Sequence, residues 1–98
     1  MNKEKCIMPD NPPYWRNFRF YGSERHEIYF GGRNRQKSID DGLVVFLTPA
    51  QHRGENGVHG KNGRSFDLML KRHGELKWLE TYNKTKEDFI KNYGRNYL

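Results

Sequence analysis

The sequence predicts a small α+β domain, and three observations carry that reading. Strand-like runs occupy the first half of the chain, between Tyr14 and Leu47. Helical periodicity and capping signals occupy the second half, from residue 65 to 98. The chain has 98 residues, which suits a single domain, 1–98, with a small core. Hydrophobic residues make up only 34% of it and the mean hydropathy is −1.12, but aromatic residues reach 14%. Large rings must therefore supply much of the apolar burial, and Trp15, Phe18, Phe20, Tyr29, Phe30, Phe46 and Trp78 are the expected core set.

Residues 1–13 contain Pro9, Pro12 and Pro13 beside Asp10 and Asn11, which predicts turn and extended chain. Between Tyr14 and Tyr21 aromatic side chains interleave with Arg16 and Arg19, as in a strand with one aromatic and one basic face. Gly22-Ser23 reads as a turn, and Arg25–Phe30 as a second short strand. Gly31-Gly32 then opens a polar loop, Arg33-Asn34-Arg35-Gln36-Lys37. Asp40-Asp41-Gly42 is a turn signal before Leu43–Leu47, an apolar run that suits a buried strand or a helix start; its valines favour the strand. Glycines at 54, 57, 60 and 63 recur every third residue, too briefly for a collagen-like structure, and predict an exposed loop. Ser65 is placed to cap a helix from Phe66 with an apolar stripe of Phe66, Met69, Leu70, Leu76 and Leu79, weakened at Gly74. Thr85-Lys86-Glu87-Asp88 reads as a capping box for a last helix through Phe89, Ile90 and Tyr93, closed by Gly94. The tail should pack Tyr97 and Leu98 back on the body.

Lys and Arg number 18 against 12 acidic residues, a net charge of +6. Such a balance favours polyanionic partners (DNA, RNA, or an acidic protein that imitates them), although it also suits a merely solvated surface. Candidate phosphate contacts are Arg33, Arg35 and Lys37, joined by Arg16, Arg19, Arg53, Lys61 and Arg64. No apolar stretch approaches membrane-spanning length and the N-terminus leads into no signal-peptide core, so a cytoplasmic protein without a membrane partner is expected. The single cysteine, Cys6, excludes an internal disulfide and a multi-cysteine zinc site.

Three of the four histidines, His26, His52 and His59, fall in one segment beside strand-like runs and Gly-rich turns. Imidazole is the commonest metal ligand among side chains, so the segment raises the question of a bound cation. Read singly, His26 is also consistent with an exposed strand face, His52 with a helix start after Thr48-Pro49, and His73 with a solvated helix.

The order Cys6-Ile7, then His26-Glu27-Ile28-Tyr29-Phe30-Gly31-Gly32, then Asp41 to His52, then Gly57-Val58-His59, with the ending Phe89 to Leu98, resembles small phage-encoded proteins of the HNH, or His-Me finger, endonuclease superfamily. The resemblance covers Cys6 to Leu98. It implies a ββα-metal hairpin and helix around one divalent cation, Mg or Mn, with further helices behind. His26 then matches the metal-binding first position of the family's strand pair, and His52 and His59 match later ligands. Glu27 stands where the family has its base histidine. Of the family's cysteine pairs only Cys6 is present: Pro9, Thr48 and Gln51 stand at the other positions, so no structural zinc is expected. The central Asn is absent, and Asp41 or Gly42 occupies its neighbourhood. A general base works best with a pKa near the working pH, which histidine meets and glutamate does not. The resemblance thus implies mainly a binding protein, one that engages nucleic acid or a nucleic-acid-processing protein, for example as an inhibitor of a host defence nuclease of the anti-CRISPR kind. A weak divalent-metal-dependent DNA endonuclease and a small structural or regulatory phage protein are the alternatives. Oligomeric state is not legible.

Overall fold

The computed structural model describes residues 4–98 and contains two strands and four helices: β1 (Glu24–Glu27), α1 (Asn34–Asp41), β2 (Val44–Leu47), α2 (Pro49–Arg53), α3 (Arg64–Tyr82) and α4 (Lys86–Tyr93). It is a small α+β domain in which an antiparallel strand pair packs beside short helices, and the long α3 and the short α4 follow. The register sets Glu24 opposite Leu47, Arg25 opposite Phe46, His26 opposite Val45 and Glu27 opposite Val44. Because strand side chains alternate, Glu24 and His26 share one face while Arg25 and Glu27 share the other. β2 is buried along its whole length, as a β-branched apolar run favours.

The connection between the strands corrects one expectation. Arg33 to Lys37 is not a loop; Arg33 is the N-cap of α1 and Asn34 to Lys37 its first turn, and Asp40-Asp41-Gly42 is that helix's end. Gly42 takes a left-handed conformation, φ 78°, and its N–H closes on the Ser38 and Ile39 carbonyls. A side chain there would also press on the backbone of Ile7. The sequence hid this helix because its buried contacts are polar. Ser38 Oγ accepts from the Tyr29 N–H at 3.1 Å and donates to the Tyr29 carbonyl at 2.8 Å.

The Tyr14–Tyr21 segment is not a strand either. Arg16 alone bridges to Phe46, through two backbone hydrogen bonds of 3.1 and 2.9 Å, and Phe18 and Tyr21 point into solvent. Proline-directed turns upstream leave no second residue in register. Of the expected core rings, Trp15, Tyr29, Phe46 and Trp78 are buried, whereas Phe18 is half exposed. Phe89 and Tyr93 take its place, stacking at 4.8 Å and meeting Tyr29 at 5.2 and 4.8 Å.

Asp41 fastens this aromatic cluster to α1. Its Oδ2 accepts from Trp78 Nε1 at 2.9 Å and from the Tyr93 hydroxyl at 2.6 Å, and its carbonyl accepts from the Tyr82 hydroxyl at 2.7 Å. In α3 the N-cap is Gly63, two residues earlier than Ser65 suggested, and Leu76 is exposed rather than part of the stripe. Gly74 is the point where Tyr29 crosses the helix, with the Tyr29 hydroxyl donating to the Lys71 carbonyl at 2.5 Å. The Thr85 capping box forms as its residues require, with Asp88 reciprocating, and Gly94 closes α4. No helix among the described residues is long and apolar enough to cross a membrane.

Candidate metal centre

Strand, helix and loop each deliver one imidazole to the same place. His26 comes from the buried face of β1. His52 comes from α2, which starts where Thr48 caps the N–H of Gln51 and Pro49 fixes the first helical residue. His59 is returned by the glycine-rich segment, which is not an open loop but a coil folded on itself. Its turns are closed by hydrogen bonds from Gly57 to Gly54, Gly60 to Gly57 and Gly63 to Gly60, at 2.9, 2.8 and 3.1 Å. A Cβ at Gly60 or Gly63 would strike the backbone of Gly54 or Gly57, so the three-residue glycine spacing is a packing requirement. The Val58 N–H then reaches the Gln51 carbonyl at 2.8 Å and the His59 N–H reaches that of His52 at 3.2 Å.

The ring centroids of His26, His52 and His59 lie 4.9 to 5.2 Å apart. One ring nitrogen from each falls within 4.8 Å of the other two. His26 is fully buried and its Nε2 has no hydrogen-bond partner. A buried polar atom without a partner costs free energy unless something absent from the chain completes it, and a cation does so for an imidazole lone pair. Burial first, then the charges of His52, His59 and Lys71, push the His26 imidazolium down to about 3, so the ring is neutral and able to ligate at pH 7. Burial likewise lowers His59. The set can hold one divalent ion, and exposed His59 marks the side open to solvent.

Glu24 supplies the outer support, which its place two residues before His26 on one strand face makes readable. Its Oε1 lies 2.8 Å from His52 Nδ1, and Arg53 grips both of its oxygens at 2.7 to 3.1 Å. Hydrogen bonds from Arg53 and then His52 hold the Glu24 carboxyl down at about 2, so it is an ionised acceptor. Nδ1 of His52 must therefore donate, which leaves Nε2 with its lone pair for a metal. Carboxylates orient metal-binding imidazoles in this way.

Glu27 is elsewhere. It sits on the opposite face of β1, with Oε2 3.0 Å from Arg25 Nε and Oε1 3.5 Å from Arg35 Nε. His73 is exposed and bonds the Met69 carbonyl, away from the cluster. Cys6 lies 3.1 Å from the Val44 carbonyl as a hydrogen-bonded thiol. Among the candidate phosphate contacts, Arg16 pairs with Asp10, Arg19 with Glu4, Arg53 with Glu24 and Lys61 with Glu55. Lys37 donates to the Asn92 carbonyl at 2.5 Å, while Arg33 and Arg64 are exposed. One residue that no motif indicated borders the cluster: Lys71 lies 4.4 Å over the Phe30 ring, whose centroid is 4.8 Å from His59 and 5.7 Å from His26. Asp67 holds Lys71 at 2.9 Å. The signal for Lys71 was its i, i+4 spacing from Asp67, an acid that the sequence places at the start of this helix.

No protein-family model, curated protein or solved structure matches this chain.

Proposed function

We propose that this protein is a divalent-metal-dependent phosphodiesterase that acts on nucleic acid, with DNA cleavage as its reaction. The observation that carries the reading is the convergence of three imidazoles around a buried, unpartnered His26 Nε2. Of the readings open from the sequence, this favours the catalytic one over pure binding. A module used only for docking gains nothing from burying an unpartnered imidazole and orienting a second through Glu24 and Arg53. Three nitrogen donors with an open side are the ligand set of hydrolytic rather than structural sites. Between the two ions the resemblance implies, imidazoles suit manganese better than magnesium, which prefers oxygen donors and keeps its waters. A cation here would polarise a phosphoryl oxygen and lower the pKa of water.

The chain's own residues supply the rest. His26, His52 and His59 bind, and Glu24 with Arg53 holds the His52 ring. Arg35 and Lys71 both act on His59, against a larger opposing effect of Asp67, so cationic groups lie within electrostatic reach of the open side for a phosphate to meet. Glu27, with a guanidinium at each oxygen, is better suited to placing Arg25 and Arg35 than to accepting a proton.

The test is calorimetric titration with Mn²⁺ and Zn²⁺ followed by plasmid nicking. One equivalent should bind, and His26→Ala should abolish both binding and nicking. Nicking that survives His26→Ala, or the absence of any stoichiometric ion in the wild type, would overturn the assignment.

A further inference from the structure

A hydrolytic centre needs a group to take the proton from water, and Glu27 does not meet the cluster. The first turn of α3 supplies another carboxylate. Asp67 Oδ2 is fixed by Lys71 Nζ at 2.9 Å, and both side chains are largely buried, 18% and 14% exposed. Lys71 is itself held over Phe30, the ring that packs against His26 and His59. Asp67 Oδ1 is buried and has no hydrogen-bond partner.

A carboxylate present only to pair with Lys71 or to favour the helix N-terminus would leave its second oxygen in water, where solvation costs nothing. Here that oxygen is withdrawn from solvent, and the Lys71 bond to Oδ2 opposes turning it out to water. It requires a hydrogen donor from outside the protein. The Asp67 charge also acts on His59, opposing the effect of burial on that ring.

We propose that Asp67 is the proton acceptor of this centre and that Lys71 is the residue that positions it; the assignment rests on the hydrolytic reading above. A water donates one hydrogen to Oδ1. As the water oxygen bonds to phosphorus, its O–H bond breaks and the proton passes to Oδ1. The P–O bond to the departing alkoxide breaks in turn, and the alkoxide takes a proton from solvent. A carboxylate so placed has a second consequence. It accepts but cannot donate, so it disfavours a hydrogen-free anion in the position of the water it holds, while leaving the rest of the open side to the phosphate.

That consequence gives a readout independent of turnover. The full chain loaded with Co²⁺ should show the visible bands of a three-imidazole site, and azide should displace solvent from it. Asp67→Asn is isosteric; it should keep the cobalt bands, bind azide at least ten-fold more tightly, and lose about 10²–10⁴-fold in hydrolysis of bis(p-nitrophenyl) phosphate. Glu80→Gln removes the same charge thirteen residues farther along α3, about 20 Å away, and should change neither quantity. Unchanged azide affinity and rate in Asp67→Asn, with the bands intact, would overturn the role of Asp67 while leaving the metal centre standing. Loss of the bands in Asp67→Asn alone would make it a ligand and overturn the role equally. A wild type without such bands would remove the metal centre and this proposal together.

Discussion

Burial at single residues sets the chemistry of this protein. His26 illustrates the direction. Its ordinary pKa of 6.5 falls to about 3 in the fold, so below pH 6.5 the unfolded chain binds a proton that the native chain refuses. Stability of the metal-free protein should therefore be flat above pH 6.5 and fall as pH drops towards 3. Urea midpoints measured across that range check this, and the slope should be much shallower in His26→Leu. Glu75 shows the opposite case. It is fully buried, with Oε1 accepting from the Tyr97 N–H at 2.7 Å and Oε2 unpartnered, and burial raises its carboxyl. A raised carboxyl favours folding at low pH and loses that contribution as pH rises through its folded value. Glu75→Gln keeps the Tyr97 bond without the charge. It should stabilise the protein at pH 7, by about 1 kcal/mol, and this advantage should vanish in acid; a lower melting temperature at pH 7 would contradict it.

At the scale of elements, the helices show where local preference yields to packing. Gly74 lowers the helix propensity of α3, and in an exposed helix Gly→Ala would gain about 1 kcal/mol. Here a Cβ would stand 2.8 Å from the Tyr29 hydroxyl, so Gly74→Ala should destabilise the fold despite the better propensity. Thermal melting decides between the two. α1 raises a different point, because its basic residues divide between packing and surface. Lys37 ties α1 to α4 through Asn92, whereas Arg33 and Arg35 are exposed. Arg33→Glu with Arg35→Glu should leave folding intact, weaken DNA binding, and reduce its salt dependence by about two ions. Equal affinity at two salt concentrations would return these residues to the solvated surface.

At the scale of the whole molecule, the core and the metal centre are separable. Tyr29, Phe89, Tyr93 and Trp78 pack around the bonds to Asp41, and none of the three imidazoles is needed for that contact. Chelation should therefore leave the far-ultraviolet circular dichroism unchanged. Added Mn²⁺ should raise the melting temperature, stabilising the fold with the logarithm of its excess over Kd, by about 2.7 kcal/mol at a hundred-fold excess. Unfolding in chelator would show that the ion holds the fold.

The same separation explains what could be read from the chain. The strand at Leu43–Leu47, the capping box at Thr85 and the end of α4 at Gly94 were legible, because each depends on neighbours within a few residues. The three histidines were legible as residue types, and the lone cysteine excluded a four-cysteine zinc site by arithmetic. α1 was not legible, since its buried face is a serine bonded to Tyr29 and Ile39 is its one apolar residue. The glycine coil was not legible, because three-residue spacing acquires meaning only when the turns stack and the Cβ atoms collide. Convergence of the imidazoles depended on that stacking, on the start of α2 and on strand alternation acting together. Sequence by itself determined the α+β class, the positive charge and the ligand chemistry on offer. Tertiary structure alone decided that His26, His52 and His59 meet, that Glu27 turns away and that Lys71, held by Asp67, lies over Phe30 beside them. Ligation and proton transfer are properties of distance and desolvation, and both arise between residues remote in the chain.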